Sequence, residues 1–400
     1  MPSVNFDEVA QYVTIPDDAR ELLEKPEREL RVTMSLRLDS ALMQTDVYVV
    51  YYNTARGPAK GGIRFWPTVT MEHTIDLAEK MVWKTALVGV PFGGGKSGIA
   101  LDPQKFTRMQ KTAILKEYVH VLRPDLMSGL YVPAPDMGTS GADMAVVFGE
   151  THLAESVTGK PPRVGGLPGR LEATGRGVSA CVLAAARKYL GRDVEGATVA
   201  VQGFGNVGSW VAHFLSGSGA KMVAASDVSG GVYAEGGLDT GALADWAGQG
   251  NLLKDYGDYD KITNNELLVM DVDILIPAAT EDVLTADNVG AVRAKMIVEG
   301  ANGPTTDEAD AALTDKGIVV LPDILANSGG VIASYVEWRQ GKSGALTSRE
   351  ETFKTVDQLV LAAFDRVTGF AESKKTTPRI AARCLSVEEV VKTMSDRGWI

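Results

Sequence analysis

Cysteine and histidine are scarce in this chain of 400 residues. The two cysteines, Cys181 and Cys384, lie far apart in sequence, which excludes a disulfide framework and any metal-ligand spacing. Both fall in helical patterns among apolar neighbours and are expected to be buried structural thiols. The four histidines, His73, His120, His152 and His213, form no close pair, so neither a metal site nor a histidine-based catalyst is expected. No apolar run approaches the ~18 residues that span a bilayer. The stretch Met1 to Tyr12 carries Asp7 and Glu8 and has no basic cluster ahead of an apolar segment. No membrane association and no signal peptide are therefore expected, and the protein is expected to be cytoplasmic. Positive charge is also short: 40 Lys and Arg against 51 Asp and Glu give a net charge of −11. A nucleic-acid partner, which calls for a basic face, is not expected.

Glycine, by contrast, is abundant, with 43 residues, against a usual share of ~7%. The glycines are not spread as a flexible linker but cluster at 61–62, 93–95, 165–169, 203–208, 230–231, 300–303 and 329–330. Such clusters are expected where backbone approaches a ligand closely or takes a positive φ, which points to a ligand-binding enzyme. The apolar share of 45% and charged share of 23% are those of a globular protein. The length calls for two domains.

Along the chain, Leu30 to Leu38 alternates apolar and polar residues as a half-buried strand does, and Asp46 to Tyr52 reads as a second strand. Helical spacing follows over 70–86, 105–121 and 141–156, so the front part is a mixed α/β unit. The pattern then changes near residue 180. A helix over 178–189 leads to an apolar strand over 197–201, a glycine-rich turn, a helix over 206–215 and a strand over 221–226. Apolar strands recur at 272–276, 296–298 and 318–321. Strands alternating with helices predict a parallel, doubly wound sheet. Helices over 331–340, 350–370 and 386–394 close the chain. The expected division is 1–180, completed by helices from 340–400, against 181–339.

The glycine-rich turn is Gly203-Phe204-Gly205-Asn206-Val207-Gly208. It follows a predicted strand and opens a predicted helix, and Asp227 stands nineteen residues after Gly208 at the end of the next strand. Glycines at this spacing permit a tight turn, close approach of a pyrophosphate and close helix packing. The helix N-terminus offers free N–H groups to the phosphates, and a carboxylate at Asp227 can hydrogen-bond ribose hydroxyls. The turn therefore predicts a bound dinucleotide. No Arg or Lys follows Asp227 directly to meet a 2′-phosphate, so NAD is expected ahead of NADP, which stays open.

Three lysines of the front half stand among glycines or at a helix edge: Lys60 in Gly57-Pro58-Ala59-Lys60-Gly61-Gly62, Lys84 in Trp83-Lys84-Thr85, and Lys96 in Gly93-Gly94-Gly95-Lys96-Ser97-Gly98. Glycine gives no support to a merely solvated charge, and the pattern fits a small anionic substrate held by backbone and ammonium groups. Gly95-Lys96-Ser97 resembles the end of a nucleotide-triphosphatase phosphate loop. That motif requires glycine where Val90 stands, however, and Gly89 is out of register by one. The residues after Lys96 also read as a strand, Ser97 to Leu101, rather than the helix such a loop opens.

These segments resemble a known family. VPFGGGKSGIALDP (90–103) is similar to the segment around the catalytic lysine of the glutamate, leucine, phenylalanine and valine dehydrogenases. GPAKGGIRF (57–65), PAPDMGT (133–139), EATGRGV (172–178), GFGNVGS (203–209), EGANGPTT (299–306) and NSGGVIASYVEW (327–338) follow in the family's order. The resemblance runs from about residue 25 to the C-terminus, and is strongest to the glutamate dehydrogenases of the short, hexameric kind. Two departures stand out: Trp66, where many relatives have His, and Ser140-Gly141-Ala142-Asp143 after Thr139.

The resemblance implies an N-terminal mixed α/β substrate domain, a Rossmann-type dinucleotide domain, and C-terminal helices returning to the first. It implies reversible oxidative deamination of L-glutamate to 2-oxoglutarate and ammonia by a homo-hexamer. The alternatives are a dehydrogenase of an apolar amino acid and a non-catalytic paralogue. Lys96 is implied as the catalytic lysine, Asp136 as the proton-transferring carboxylate, and Lys84 as the partner of the substrate α-carboxylate. Lys60 and Ser334 would hold a side-chain carboxylate, with Val331 lining that pocket. Thr174 and Asn302 would lie near the nicotinamide, and Asn327 near the substrate. A lysine acting as base near neutral pH needs its ammonium destabilised, and burial with Lys84 held close by is expected to do this for Lys96.

Overall fold

The computed structural model describes residues 4–39, 41–257 and 259–400. The chain forms two compact units, one of Met1–Arg170, Val331–Thr352 and Arg383–Ile400, the other of Leu171–Gly330 and Phe353–Ala382. These bounds differ from the expected ones at 171–180, 331–339 and 353–382, and packing shows why. In the second unit, Gly175 lies against Trp210, Phe353 packs edge-on to Phe214 at 5.7 Å, and Arg176 bonds Asp357 at 2.5 Å. Arg379 bonds Glu299 at 2.7 Å in the same unit. In the first unit, Glu337 bonds Lys160 at 2.9 Å.

The first unit is built on a five-stranded sheet in the order β1-β2-β4-β3-β5. The strands are β1 (Arg28–Leu38), β2 (Ala41–Asn53), β3 (Ala59–Phe65), β4 (Gly93–Ile99) and β5 (Tyr131–Pro135). The β1–β2 and β2–β4 pairs are antiparallel, and β3 runs parallel to both β4 and β5. Two expected strands appear as β1 and β2, each longer than its pattern. The strand expected from Ser97 to Leu101 begins four residues earlier, inside the glycine run. Neither β3 nor β5 shows a strand pattern, the first because of Gly61 and Gly62, the second because of Pro133 and Pro135. Proline is tolerated in β5 because it pairs on one side only.

The glycines of β3 and β4 have a different cause from the one expected. None of Gly61, Gly62, Gly93, Gly94 and Gly95 has a positive φ. Chain packs on chain there instead. A Cβ on Gly61 would lie 1.6 Å from the Gly95 carbonyl oxygen, and one on Gly94 would lie 2.3 Å from Val82 Cγ2 in the helix Met71–Leu87. Beneath the sheet, Tyr51, Ile63, Phe65, Ile99, Tyr118 and Tyr131 form the core with the helices Arg108–Val121 and Gly141–Thr151.

The second unit holds a seven-stranded sheet in the order β12-β11-β10-β6-β7-β8-β9. Its strands are β6 (Thr198–Gln202), β7 (Lys221–Asp227), β8 (Gly230–Tyr233), β9 (Asp260–Ile262), β10 (Ile274–Pro277), β11 (Met296–Val298) and β12 (Val319–Leu321). β12 to β7 are parallel, as expected of a doubly wound sheet. The edge is not parallel, because β8 and β9 run antiparallel to their neighbours. Only Val228 and Ser229 separate β7 from β8, too few for a parallel crossover and enough for a hairpin. Gly230, at φ +126°, accommodates that reversal. Strand order reverses between β6 and β10, the position where such sheets bind ligands.

Adding a methyl group tests the packing reading. Gly61→Ala forces rigid backbone apart and is expected to lower Tm sharply or block folding, since overpacking costs about 1–3 kcal/mol or more. Gly149→Ala, in an exposed helical position with no atom within 4 Å, is expected to leave Tm unchanged or raise it, alanine being favoured in helices by roughly 0.5–1 kcal/mol. Equal melting temperatures for the two variants, read by differential scanning calorimetry, would show that β3 and β4 can separate freely.

Candidate active site

Strand register brings the charged residues of the first unit together. Parallel pairing sets Lys60 opposite Gly94 and Arg64 opposite Gly98, with Lys60 also opposite Val132 and Gly62 opposite Ala134. Successive side chains alternate faces. Lys60, Gly62 and Arg64 of β3, Lys96 of β4 and Asp136 just past β5 therefore share one face. A Cβ on Gly62 would come within 2.6 Å of Asp136 Cβ, so glycine there makes room for the carboxylate. Ser97 and Tyr131 point to the opposite face, where Tyr131 donates to Ser97 Oγ at 3.0 Å and Ser97 and Tyr118 share a hydrogen bond of 2.8 Å. This hydroxyl chain fixes the strands from behind.

Lys96, 7% exposed, places Nζ 2.6 Å from Asp136 Oδ2, and Arg64 Nε donates to the same oxygen at 3.2 Å. Burial by itself would raise the Asp136 carboxyl, but Lys96 and then Arg64 outweigh it and hold it down at about 2. Its loop is rigidly made. Asp136 N donates to Thr139 Oγ1 at 2.8 Å, and that hydroxyl donates to the Ile63 carbonyl at 2.8 Å. Gly138, at φ +77°, packs on the Phe65 carbonyl. The unusual residues after Thr139 form a helix cap: Asp143 Oδ2 accepts from Ser140 N at 2.7 Å, Ser140 Oγ at 2.9 Å and Lys111 Nζ at 2.7 Å.

Lys60 is 1% exposed. Its ammonium is pushed well down from its ordinary value, by burial first and by the positive charge of Arg170 next, while Glu337 acts in the opposite direction. Val331 and Ser334 are buried on the helix Gly329–Ser343, and Lys84 is half-buried near the end of the helix Met71–Leu87. Sequence reasoning did not single out Arg64, Lys160, Arg170 or Glu337. Arg64 and Glu337 stood inside quoted motifs, where an ionisable residue among apolar ones is the available signal. Lys160 and Arg170 carried none.

In the second unit, the helix Asn206–Gly217 opens at Gly205, with no side chain capping its first turn. A Cβ on Gly203, at φ +92°, would meet Ala279 at 2.7 Å, and one on Gly208 would meet the Gly203 carbonyl at 2.0 Å, whereas Gly205 faces open space. Two glycines thus permit the tight turn and one leaves room for a phosphate over free N–H groups, which fits a dinucleotide. Phe204 and Val207 complete the turn. Asp227, expected to wait for a ribose, already accepts hydrogen bonds at both oxygens. Oδ1 takes Ser229 N at 2.7 Å and Ser229 Oγ at 2.5 Å, and Oδ2 takes Leu253 N at 2.8 Å. A basic residue absent from the sequence after Asp227 is brought near by the fold: Lys254 N donates to Ser229 Oγ at 3.3 Å. Thr174 lies in the first turn of the helix Ala173–Ala185. Asn327 Nδ2 donates to Ala301 O and to Asn302 Oδ1, both at 3.0 Å.

Residues 165–398 match the Glutamate/Leucine/Phenylalanine/Valine dehydrogenase family, and residues 26–153 match that family's dimerisation domain. The chain belongs to this family. It is therefore an amino-acid dehydrogenase that works with a nicotinamide dinucleotide, and the triphosphatase reading falls away. The glutamate dehydrogenase A2 of Halobacterium salinarum is 42% identical over 98% of this chain and 96% of its own length. The NADP-specific glutamate dehydrogenase of Saccharolobus shibatae is 40% identical over 98% and 95%. Among solved structures, the hetero-hexameric glutamate dehydrogenase of Thermus thermophilus in its Leu-bound form matches with a TM-score of 0.92 at 32% identity, covering 98% of this chain and 95% of that one. Among the described residues, no helix is long and apolar enough to cross a membrane, and no group of His, Cys, Asp or Glu could hold a metal ion.

Because Asp136 is depressed in the folded state, its pairing stabilises the protein above the unfolded carboxyl value of ~3.9, and the contribution is lost as pH falls through about 2. Arg64→Met removes one of the two cations. The Asp136 carboxyl is expected to titrate at higher pH in this dehydrogenase, by carboxyl-carbon NMR, and the acid unfolding midpoint to move upward. An unmoved titration would mean that Arg64 does not act on the carboxylate.

Proposed function

We propose that the chain catalyses the reversible oxidative deamination of L-glutamate to 2-oxoglutarate and ammonia, as a homo-hexamer that uses NAD ahead of NADP. The observation that carries the reading is the buried Lys60, with further positive charge from Arg170 and Lys160 and only partial compensation by Glu337. A pocket for an apolar side chain gains nothing from buried ammonium groups, which are costly unless paired. A glutamate side chain brings the missing carboxylate, and Ser334 adds a hydrogen bond beside Val331. The glutamate dehydrogenases among its relatives support the same substrate.

When bound, the nicotinamide accepts the hydride that leaves the substrate α-carbon. In this reading, Lys84 pairs with the α-carboxylate and Asp136, held ionised, takes a proton from the substrate ammonium before hydride leaves. Lys96, as the neutral amine after its own proton has left to solvent, then takes a proton from the water that adds to the imine carbon, and the ammonium so formed stabilises the oxygen of the carbinolamine. Asp136 returns a proton to nitrogen, and the C–N bond breaks as the carbinolamine O–H gives its proton to solvent, leaving the ketone and free ammonia. The 2.6 Å contact between Lys96 and Asp136 gives the proton a direct path, and Arg64 holds the carboxylate in place. Gly203 to Gly208 and Asp227 serve the dinucleotide, with Thr174, Asn302 and Asn327 the further candidates of the second unit.

The test is absorbance at 340 nm with 2-oxoglutarate, ammonia and each reduced cofactor. Lys96→Ala is expected to cut kcat by ~10²–10⁴-fold with cofactor binding retained, a general base being worth that much. Asp136→Asn should do the same. Retention of a tenth of wild-type kcat by either variant excludes its role. Wild type is expected to favour glutamate over norvaline by a factor on the order of 10³ or more, since loss of a buried charge pair costs ~3–5 kcal/mol. Lys60→Leu should collapse that ratio, and an unmoved ratio would leave an apolar amino acid as the substrate. Higher kcat/KM with NAD(H) than with NADP(H) is expected from the Asp227 charge, and the reverse order would point to Lys254.

A further inference from the structure

The first unit also holds a buried ion pair with no part in the chemistry above. Glu337 is 0% exposed, and the Lys160 side chain 1%. The Glu337 carboxylate takes Lys160 Nζ at 2.9 Å, Gly159 N at 2.8 Å and Lys160 N at 3.1 Å. Lys160 Nζ also donates to the carbonyls of Ala154 at 2.8 Å and Val157 at 2.5 Å. Both partners are thus fully bonded, unlike a stray charge.

The pair is placed between two parts of the substrate pocket. Glu337 stands three residues after Ser334 on the same helix, so the two share a face. One turn further, Gly341 packs on the backbone of Ala154 and Glu155. On the other side, Thr158 N donates to the Pro133 carbonyl of β5 at 3.0 Å, and Gly159 lies against Pro135, next to Asp136. We propose that Glu337 is the positioning residue and counter-charge of the Lys60 pocket, fixing the Ser334 helix against the β5 end while supplying the negative charge that Lys60 feels before substrate arrives.

The charges facing Lys60 are Arg170 ahead of the helix Ala173–Ala185, Lys96 on β4, Lys160 beside Pro161 and Glu337. Three are cationic and favour the neutral amine, and Glu337 alone of these four favours the ammonium. Tyr131, on the neighbouring strand, is pushed far above its ordinary value by burial and stays uncharged. An ammonium already lowered by its surroundings loses its proton as pH rises, and with it the attraction for a substrate carboxylate. Removing Glu337 brings that loss to lower pH, whereas removing Lys160 postpones it.

The inference rests on the glutamate reading, and norvaline, which lacks the side-chain carboxylate, separates the two. The measurement is the ratio of kcat/KM for glutamate to that for norvaline against pH, from which pH effects common to both substrates cancel. In Glu337→Gln the alkaline fall of the ratio is expected to move down by about one pH unit, the order of shift a neighbouring charge causes. In Lys160→Met it should move up. Damage to packing alone would lower both variants in the same direction and leave the pH of the fall unchanged, which overturns the proposal. If Glu337→Gln does not fold, Lys160→Met decides, an upward move supporting the counter-charge and an unmoved fall refuting it. A wild type that prefers norvaline defeats the glutamate reading instead, whatever the variants do.

Discussion

The site in the first unit depends on how closely β3 and β4 approach. With the Gly95 carbonyl 1.6 Å from where a Gly61 Cβ would be, no side chain fits between the strands there. The same closeness lets two-residue periodicity place Lys60, Arg64, Lys96 and Asp136 on one face within reach of one another. A looser sheet would still form hydrogen bonds, but would not bring an ammonium within 2.6 Å of a carboxylate carried two strands away. Glycine weakens an isolated strand, and β3 and β4 are inner strands of their sheet, where neighbours on both sides compensate.

Concentrating charge on that face is unfavourable for folding. Burying an ammonium costs several kcal/mol unless good geometry offsets it. The molecule offsets part of this with Asp136, bonded to cations of β3 and β4, and with Glu337, bonded to the Lys160 ammonium and the backbone amides of Gly159 and Lys160. It leaves the rest uncompensated at Lys60 and Arg170, the latter with Nε enclosed and unbonded. An uncompensated positive site is a poor stabilising device and a good receptor for an anion, because a ligand carboxylate relieves a cost already incurred in the free protein.

Much of this was legible in sequence because motif and period coincide. Lys60 and Lys96 stood out by their glycine surroundings and the dinucleotide turn by its place between strand and helix, whereas Asp136 was named only through the family resemblance. What escaped depended on pairings across long separations. Arg64 meets Asp136 only through the parallel β3–β5 register, and Glu337 meets Lys160 across 177 residues. The strands β3 and β5 themselves were hidden, since glycine and proline suppress the alternation by which strands are recognised, and tertiary packing overrode that local preference. The division of the C-terminal helices was also invisible. The helix Arg349–Lys374 reads as one uniform pattern, yet Phe353, Asp357 and Glu372 find their partners in the second unit.

Asp227 shows how a motif residue can carry a structural load beside its implied role. Its position at the end of β7 follows from the sheet, and the two-residue step to β8 requires an acceptor for Ser229. The same carboxylate then ties down Leu253, twenty-six residues on. A carboxylate held at both oxygens is a fixed negative charge at the end of β7. The opposing charge within this unit comes through Ser229, whose hydroxyl bonds both Asp227 and the backbone of Lys254. The nearness of Lys254 to this carboxylate, through Ser229, is one that the sequence neighbours of Asp227 alone could not reveal.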